Sequence, residues 1–128
     1  MIWKPATSTE MTSPLPKRGE VWRVNFDPTC GAEIMKIRPT VVISSNALGK
    51  LPLKIVVPIT GWKSGFADDI WHIKLTPTPE NGLTKDSAVD LFHVRGVDLL
   101  RFIAPIGKLA EVEVEEIVQA LAIVVELN

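Results

Sequence analysis

Thiol chemistry is almost absent from this 128-residue chain, whose only cysteine is Cys30. Without a second cysteine no intrachain disulfide can form, which suits the cytosol and argues against a secreted disulfide scaffold. An excess of one charge is missing as well. Fourteen Lys and Arg stand against fifteen Asp and Glu, a formal charge of -1, so contact with nucleic acid must use a local patch rather than the field of the whole molecule. No uncharged apolar run approaches the roughly 18 residues that span a bilayer. The amino terminus continues from Lys4 into Thr, Ser and Glu rather than the apolar core of an export signal. These absences predict a cytoplasmic protein with no membrane association.

Metal and phosphate signatures are lacking too. There is no HExxH, no pair of cysteines, no GxxxxGK[ST], and histidine occurs only as His72 and His93. The expectation is an activity with no metal and no other cofactor. Cys30 and Ser44 sit in no recognisable nucleophile context, so both read as packing or hydrogen-bonding residues.

What is present is a globular balance. Hydrophobic residues make up 46% and charged residues 23%, with 10 Pro and 8 Gly, which excludes collagen and low-complexity disorder and points to a single domain. A chain this long buries roughly two thirds of its unfolded surface, enough for a core without staples. Residues 1–16 are rich in Thr, Ser and Pro and follow neither helical nor strand period, so they read as a flexible tail, with Met11 as an alternative start. Residues 17–128 form the domain.

Within it, Glu20 to Phe26 alternates polar and apolar residues as a half-buried strand does. Cys30 to Ile37 reads as a long connection of the kind that often carries function. Further strands are predicted from Arg38 to Ser45, from Lys54 to Val57 with a halt at Pro58, from Asp69 to Leu75, from Ser87 to His93 and from Phe102 to Leu109. A helical turn is expected over Asp98–Arg101. The last segment changes period: Val114, Ile117, Val118, Leu121, Ala122 and Val125 share one helical face, and Glu111, Glu113, Glu115 and Glu116 gather near the positive helix end. The prediction is a mainly β, α+β protein of about six short strands, built as a small barrel or two packed sheets with a C-terminal amphipathic helix over an open face.

Three polar residues lie at predicted strand ends: Glu33 in the long connection, Arg38 entering the second strand and Thr60 leaving the third. If these strands are sequential neighbours, Arg38 and Thr60 fall on the same edge. Spacing alone favours the plainer reading of a surface cation before a proline and a turn hydroxyl. His93 is flanked by Phe92 and Val94, and reads as either a titrating group or a half-buried structural residue. Trp62 and Phe66 beside Lys63 offer a stacking surface next to a cation, or simply pack the loop down. Arg95 and Arg101 read as structural or interface charges.

The segments Lys17-Arg18-Gly19-Glu20-Val21-Trp22, Phe26-Asp27-Pro28-Thr29 with Gly31 and Glu33, and Lys36-Ile37-Arg38-Pro39-Thr40-Val41-Val42-Ile43-Ser44 resemble the opening of the MazF/PemK toxin family. The likeness continues through Val57-Pro58-Ile59-Thr60 and Val94-Arg95-Gly96-Val97-Asp98 with Arg101, covering Lys17 to Leu127. The resemblance implies an SH3-like barrel, usually a homodimer, acting as the toxin of a toxin-antitoxin pair. It further implies a metal-independent, sequence-specific endoribonuclease that cleaves single-stranded mRNA and is neutralised by a cognate antitoxin. Arg38 falls on the family's catalytic arginine, Thr60 on its catalytic threonine and Glu33 on the acidic residue of the adjoining loop. Lys36, Trp62, Lys63 and His93 are expected as RNA-binding or accessory residues. The family often has Gln where His93 stands, and PemK-type members carry Arg and Asp near Asp90 and Phe92, so the PemK-type base does not transfer.

The chemistry suits these residues independently. An RNA 2′-hydroxyl attacking its own 3′-phosphate needs in-line positioning, charge stabilisation and help with two protons. A guanidinium presents a fork matched to phosphate, and a hydroxyl adds a further donor. The products would be a 2′,3′-cyclic phosphate and a 5′-hydroxyl. Two competing readings are a non-enzymatic, CcdB-like toxin that inhibits DNA gyrase and a barrel that holds RNA without cutting it.

Overall fold

The alternation of Glu20–Phe26 folds as β1 (Glu20–Asn25), followed by β2 (Ile37–Val42), β3 (Leu53–Gly61), β4 (His72–Leu75), β5 (Ser87–Asp90), β6 (Arg95–Asp98), β7 (Phe102–Lys108) and α1 (Glu111–Val124). The computed structural model describes residues 15–28, 31–32, 36–48 and 51–127. The tail reading over 1–14 lies outside these residues, whereas Pro16 is buried and belongs to the folded body. All strands pair antiparallel in one sheet, in the order β4-β5-β3-β2-β1-β7, with β6 also on β3. The mainly β architecture with a terminal helix is as expected, with seven strands rather than about six.

The largest departure from expectation is β3, which runs through Pro58 instead of stopping there. Ile55 directs both backbone groups toward β2: its carbonyl accepts from the Ile43 N–H at 2.9 Å and its N–H donates to Ser44 Oγ at 3.1 Å. Backbone direction alternates along a strand, so the Pro58 nitrogen faces the opposite edge. On that edge β6 pairs with Leu53–Val56 and β5 with Ile59–Gly61. Pro58 falls in the gap between these ladders, where no donor is needed.

Other boundaries move for local reasons. The strand predicted to reach His93 ends at Asp90, because the Asp90 carboxylate accepts the Phe92 N–H and caps a 3-10 turn over Leu91–His93. Arg95–Asp98 is a strand absent from the sequence reading, and Asp98 caps the turn Leu99–Arg101 in the same way. β2 ends at Val42 rather than Ser45, and β4 begins at His72 rather than Asp69.

Period two divides the core between the sheet's faces. Val21, Val41, Val57, Ile59 and Val89 pack with Leu75, Leu91, Val114 and Ile117 on the face covered by α1. Trp22, Val24, Phe26, Val42, Val56 and Val97 pack on the other, closed by Phe102. A fully buried side chain of this kind contributes about 1.5–3 kcal/mol. In α1, Val114 and Ile117 are buried, and the Ala110 N–H is taken up by Glu113 Oε1 at 2.9 Å. Val125, placed on the apolar face by periodicity, follows the helix end and is 63% exposed.

The sheet does not close by strand pairing; a turn fills the seam. The Lys108 N–H donates to the Glu80 carbonyl at 2.8 Å. A Cβ at Gly107 would collide with the Glu80 and Asn81 backbone, and one at Gly82 with Ile106. Buried Asn81 organises this turn: its Oδ1 accepts from the Thr78 and Leu83 N–H groups, each at 3.0 Å, and its Nδ2 donates to the Thr76 carbonyl at 2.9 Å. Asn81→Ala strands three backbone groups and is expected to lower the unfolding free energy by about 3 kcal/mol in urea titration. A loss below about 0.5 kcal/mol would contradict this role.

Candidate active site

The register between β2 and β3 sets Thr40 against Pro58 and Val41 against Val57. Continued by two residues, it brings Arg38 across from Thr60, and both share the sheet face of Thr40 and Pro58 because side chains two apart point the same way. The ladder stops just before them. Arg38 stays paired with Val24 of β1 and Thr60 with Ala88 of β5, so the two half-buried residues stand where the strands part. Among the described residues no carboxylate lies within ion-pair distance of the Arg38 guanidinium.

Pro58 opens this face into a hollow of about 510 Å³, walled by Phe26, Ala32, Phe92, His93, Val94 and Arg95. Arg38 and Thr60 are not in its wall; they continue the face that Pro58 contributes. The Arg95 guanidinium lies 5.7 Å from the Phe26 ring centre, a cation-π distance. It supplies a second positive charge that the sequence reading had treated as structural.

The β1–β2 connection is drawn together at its base. The Phe26 N–H donates to the Lys36 carbonyl at 3.0 Å and the Lys36 N–H to Asp27 Oδ1 at 2.8 Å. Arg101 Nη1 donates to the Asn25 and Asp27 carbonyls at 3.0 and 2.6 Å, which makes this arginine structural. Lys36 is exposed, and its backbone has a positive φ of 68°. Glu33 and Cys30 lie outside the described residues.

His93 leaves the predicted strand for the 3-10 turn and meets groups distant in sequence. Its Nε2 is 3.2 Å from the Ala32 carbonyl and its Nδ1 is 3.0 Å from Asp90 Oδ2. The Nδ1 atom is shut off from solvent and has no hydrogen-bond partner among the described residues, although Asp90 Oδ2 lies beside it. Behind Asp90, His72 Nε2 is 3.7 Å from the same oxygen, and His72 Nδ1 bonds Asp69 Oδ2 at 2.9 Å. Among the described residues no group of three or more His, Cys, Asp or Glu is arranged to hold a metal ion.

Trp62 and Lys63 follow β3 past Thr60. Trp62 packs edge-on to Phe66 at 5.8 Å, and Phe66 stacks on His72 at 3.7 Å, so these aromatics hold the loop down. The cation beside Trp62 is Lys74, 5.1 Å from its ring centre, while Lys63 is exposed. Sequence reasoning missed Lys74 because it sits on β4, and only the sheet order brings it near. Among the described residues no helix is long and apolar enough to cross a membrane.

A family model for PemK-like, MazF-like toxins of type II toxin-antitoxin systems matches residues 17–125. Endoribonuclease MazF9 of Mycobacterium tuberculosis is 28% identical over 117 residues, 87% of this chain and 97% of that protein. MazF of Deinococcus radiodurans superposes with a TM-score of 0.75 at 23% identity, over 89% of this chain and 99% of that one. A mycobacterial endoribonuclease in complex with its cognate antitoxin gives a TM-score of 0.69 at 18% identity, over 88% and 97% of the two chains. The chain belongs to the PemK-like, MazF-like toxin family of type II toxin-antitoxin systems.

Because Arg101 ties down the carbonyls flanking the connection, Arg101→Ala is expected to speed amide exchange at Phe26 and Lys36 while leaving the middle of α1 protected. Unchanged exchange at those two amides would contradict this.

Proposed function

We propose that this chain is a toxin acting in the cytoplasm as an endoribonuclease, cleaving single-stranded mRNA at specific sequences without a metal. The observation that carries the reading is the β2–β3 register, which, carried two residues past its last pair, brings Arg38 across from Thr60 beside a hollow bearing Arg95. The RNA 2′-oxygen attacks the adjacent phosphorus and the 5′-oxygen departs, leaving a 2′,3′-cyclic phosphate and a 5′-hydroxyl. Negative charge grows on the equatorial oxygens, where a guanidinium fork and a hydroxyl donor stabilise the transition state more than the ground state. The family resemblance implies that the matching arginine is the proton donor. A guanidinium holds its proton tightly and is a poor acid near neutrality, so Arg38 acts here chiefly by charge. Lys36, Trp62 and Lys63, with Lys74, extend a basic and aromatic surface along which RNA bases and phosphates can lie.

The partner is a cognate antitoxin whose acidic, peptide-like segment covers the β1–β2 connection and competes with phosphate for Arg38. The working form is a homodimer, supported by the exposed aliphatic side chains of Leu53 and Ile55 on β3, Ile103 on β7 and Val112 and Ile123 on α1.

Purified protein incubated with long RNA in excess EDTA should yield discrete fragments ending in cyclic phosphate. A requirement for Mg2+ would contradict the mechanism, and intact RNA would favour the gyrase inhibitor or the non-cleaving barrel. Thr60→Ala should fold normally and cut about a hundredfold more slowly, and Arg38→Lys should remain severely impaired because an ammonium cannot reproduce a bidentate contact. Turnover unchanged by Thr60→Ala would return that residue to a turn role.

A further inference from the structure

We infer that His93 is the general acid that protonates the departing 5′-oxygen and that Asp90 is its positioning residue, an assignment that rests on the ribonuclease reading above. His93 forms part of the wall of the hollow, and both its ring nitrogens face oxygen acceptors: Ala32 O at 3.2 Å from Nε2 and Asp90 Oδ2 at 3.0 Å from Nδ1. A carbonyl can only accept, so in the contact with Ala32 it is Nε2 that carries the hydrogen. Without RNA, the Ala32 carbonyl occupies the acceptor position at Nε2 that a leaving oxygen would take.

The carboxylate behind the ring is fixed. Asp90 is 14% exposed at its side chain, and its Oδ1 accepts the Phe92 N–H at 3.1 Å, which keeps Oδ2 aimed at the imidazole. The second histidine cannot take the same role. His72 is 8% exposed at its side chain, bonded through Nδ1 to Asp69 and stacked beneath Phe66, so it supports Asp90 from behind and is not in the wall of the hollow. Asp90 of β5 is the charge that faces His93 directly, with His72 of β4 and Asp69 behind it and Arg95 of β6 in the same wall.

The step balances. The 2′-oxygen to phosphorus bond forms and its proton passes to water; the bond from phosphorus to the 5′-oxygen breaks, that oxygen keeps the electron pair, and the Nε2 proton passes to it. Solvent then reprotonates the ring. Arg38 stabilises charge while His93 supplies the proton, a division of labour that matches each group's acidity.

The test compares RNA with a second substrate in which sulfur replaces the leaving 5′-oxygen, since sulfur departs without a proton. His93→Gln should cut ordinary RNA about a hundredfold more slowly and the sulfur substrate within a few-fold of wild type, whereas Arg38→Lys should stay impaired on both. An equal loss for His93→Gln on both substrates would overturn the assignment while leaving the ribonuclease reading intact. If wild-type protein cuts neither substrate, both fall. Asp90→Asn keeps the cap on Phe92 but removes the carboxylate that faces Nδ1, so it should slow the cutting of ordinary RNA while leaving the sulfur substrate within a few-fold of wild type. An equal loss on both substrates would remove Asp90 from its positioning role.

Discussion

Nine residues of β3 carry three ladders, to β2 along one edge and to β6 and then β5 along the other. The division works because the backbone alternates direction. Proline at position 58 has no donor to offer, and its nitrogen faces the stretch where β6 has ended and β5 has not begun. Had the strand stopped at Val57, as its proline suggests, Thr60 would have no sheet to hold it. Because it continues, Thr60 is fixed on β5 while Arg38 is fixed on β1, and the space between them opens where β2 and β3 separate.

The same arrangement explains the division of the core. Alternate residues of β1, β2 and β3 feed two clusters, one beneath α1 and one closed by Phe102, so neither face of the central strands is free to slide by one residue without exposing a row of valines. Register is thereby locked from both sides up to the Thr40–Pro58 pair, while Arg38 is held by β1 and Thr60 by β5 just beyond it. The surrounding turns are set by polar groups: Asn81 fills the seam, Arg101 and Asp27 draw in the β1–β2 connection, and Asp90 and Asp98 cap the turns on either side of β6.

What could be read from the sequence follows from range. The alternation over Glu20–Phe26 and the helical period after Ala110 are local, and both elements form where expected. Arg38 and Thr60 were legible as the ends of neighbouring strands, and the register that sets them opposite is itself a consequence of the hydrophobic alternation. The four-residue β6 was hidden because capped turns interrupt the pattern on both sides of it. Proline misled at position 58 because its effect depends on which edge its nitrogen faces. The surroundings of His93 were out of reach, since Ala32 lies 61 residues away and His72 and Asp69 come from another strand and its preceding turn.

The central claim is that one sheet face places Arg38 and Thr60 about a single phosphate. The most direct measurement is a crystal structure of the protein with an oligonucleotide whose 2′-hydroxyl is removed at the cleavage position. The account predicts the uncleaved phosphate within hydrogen-bond distance of both the Arg38 guanidinium and Thr60 Oγ1, with the 5′-oxygen toward the hollow. A phosphate bound elsewhere, with Arg38 and Thr60 touching only protein or solvent, would contradict it.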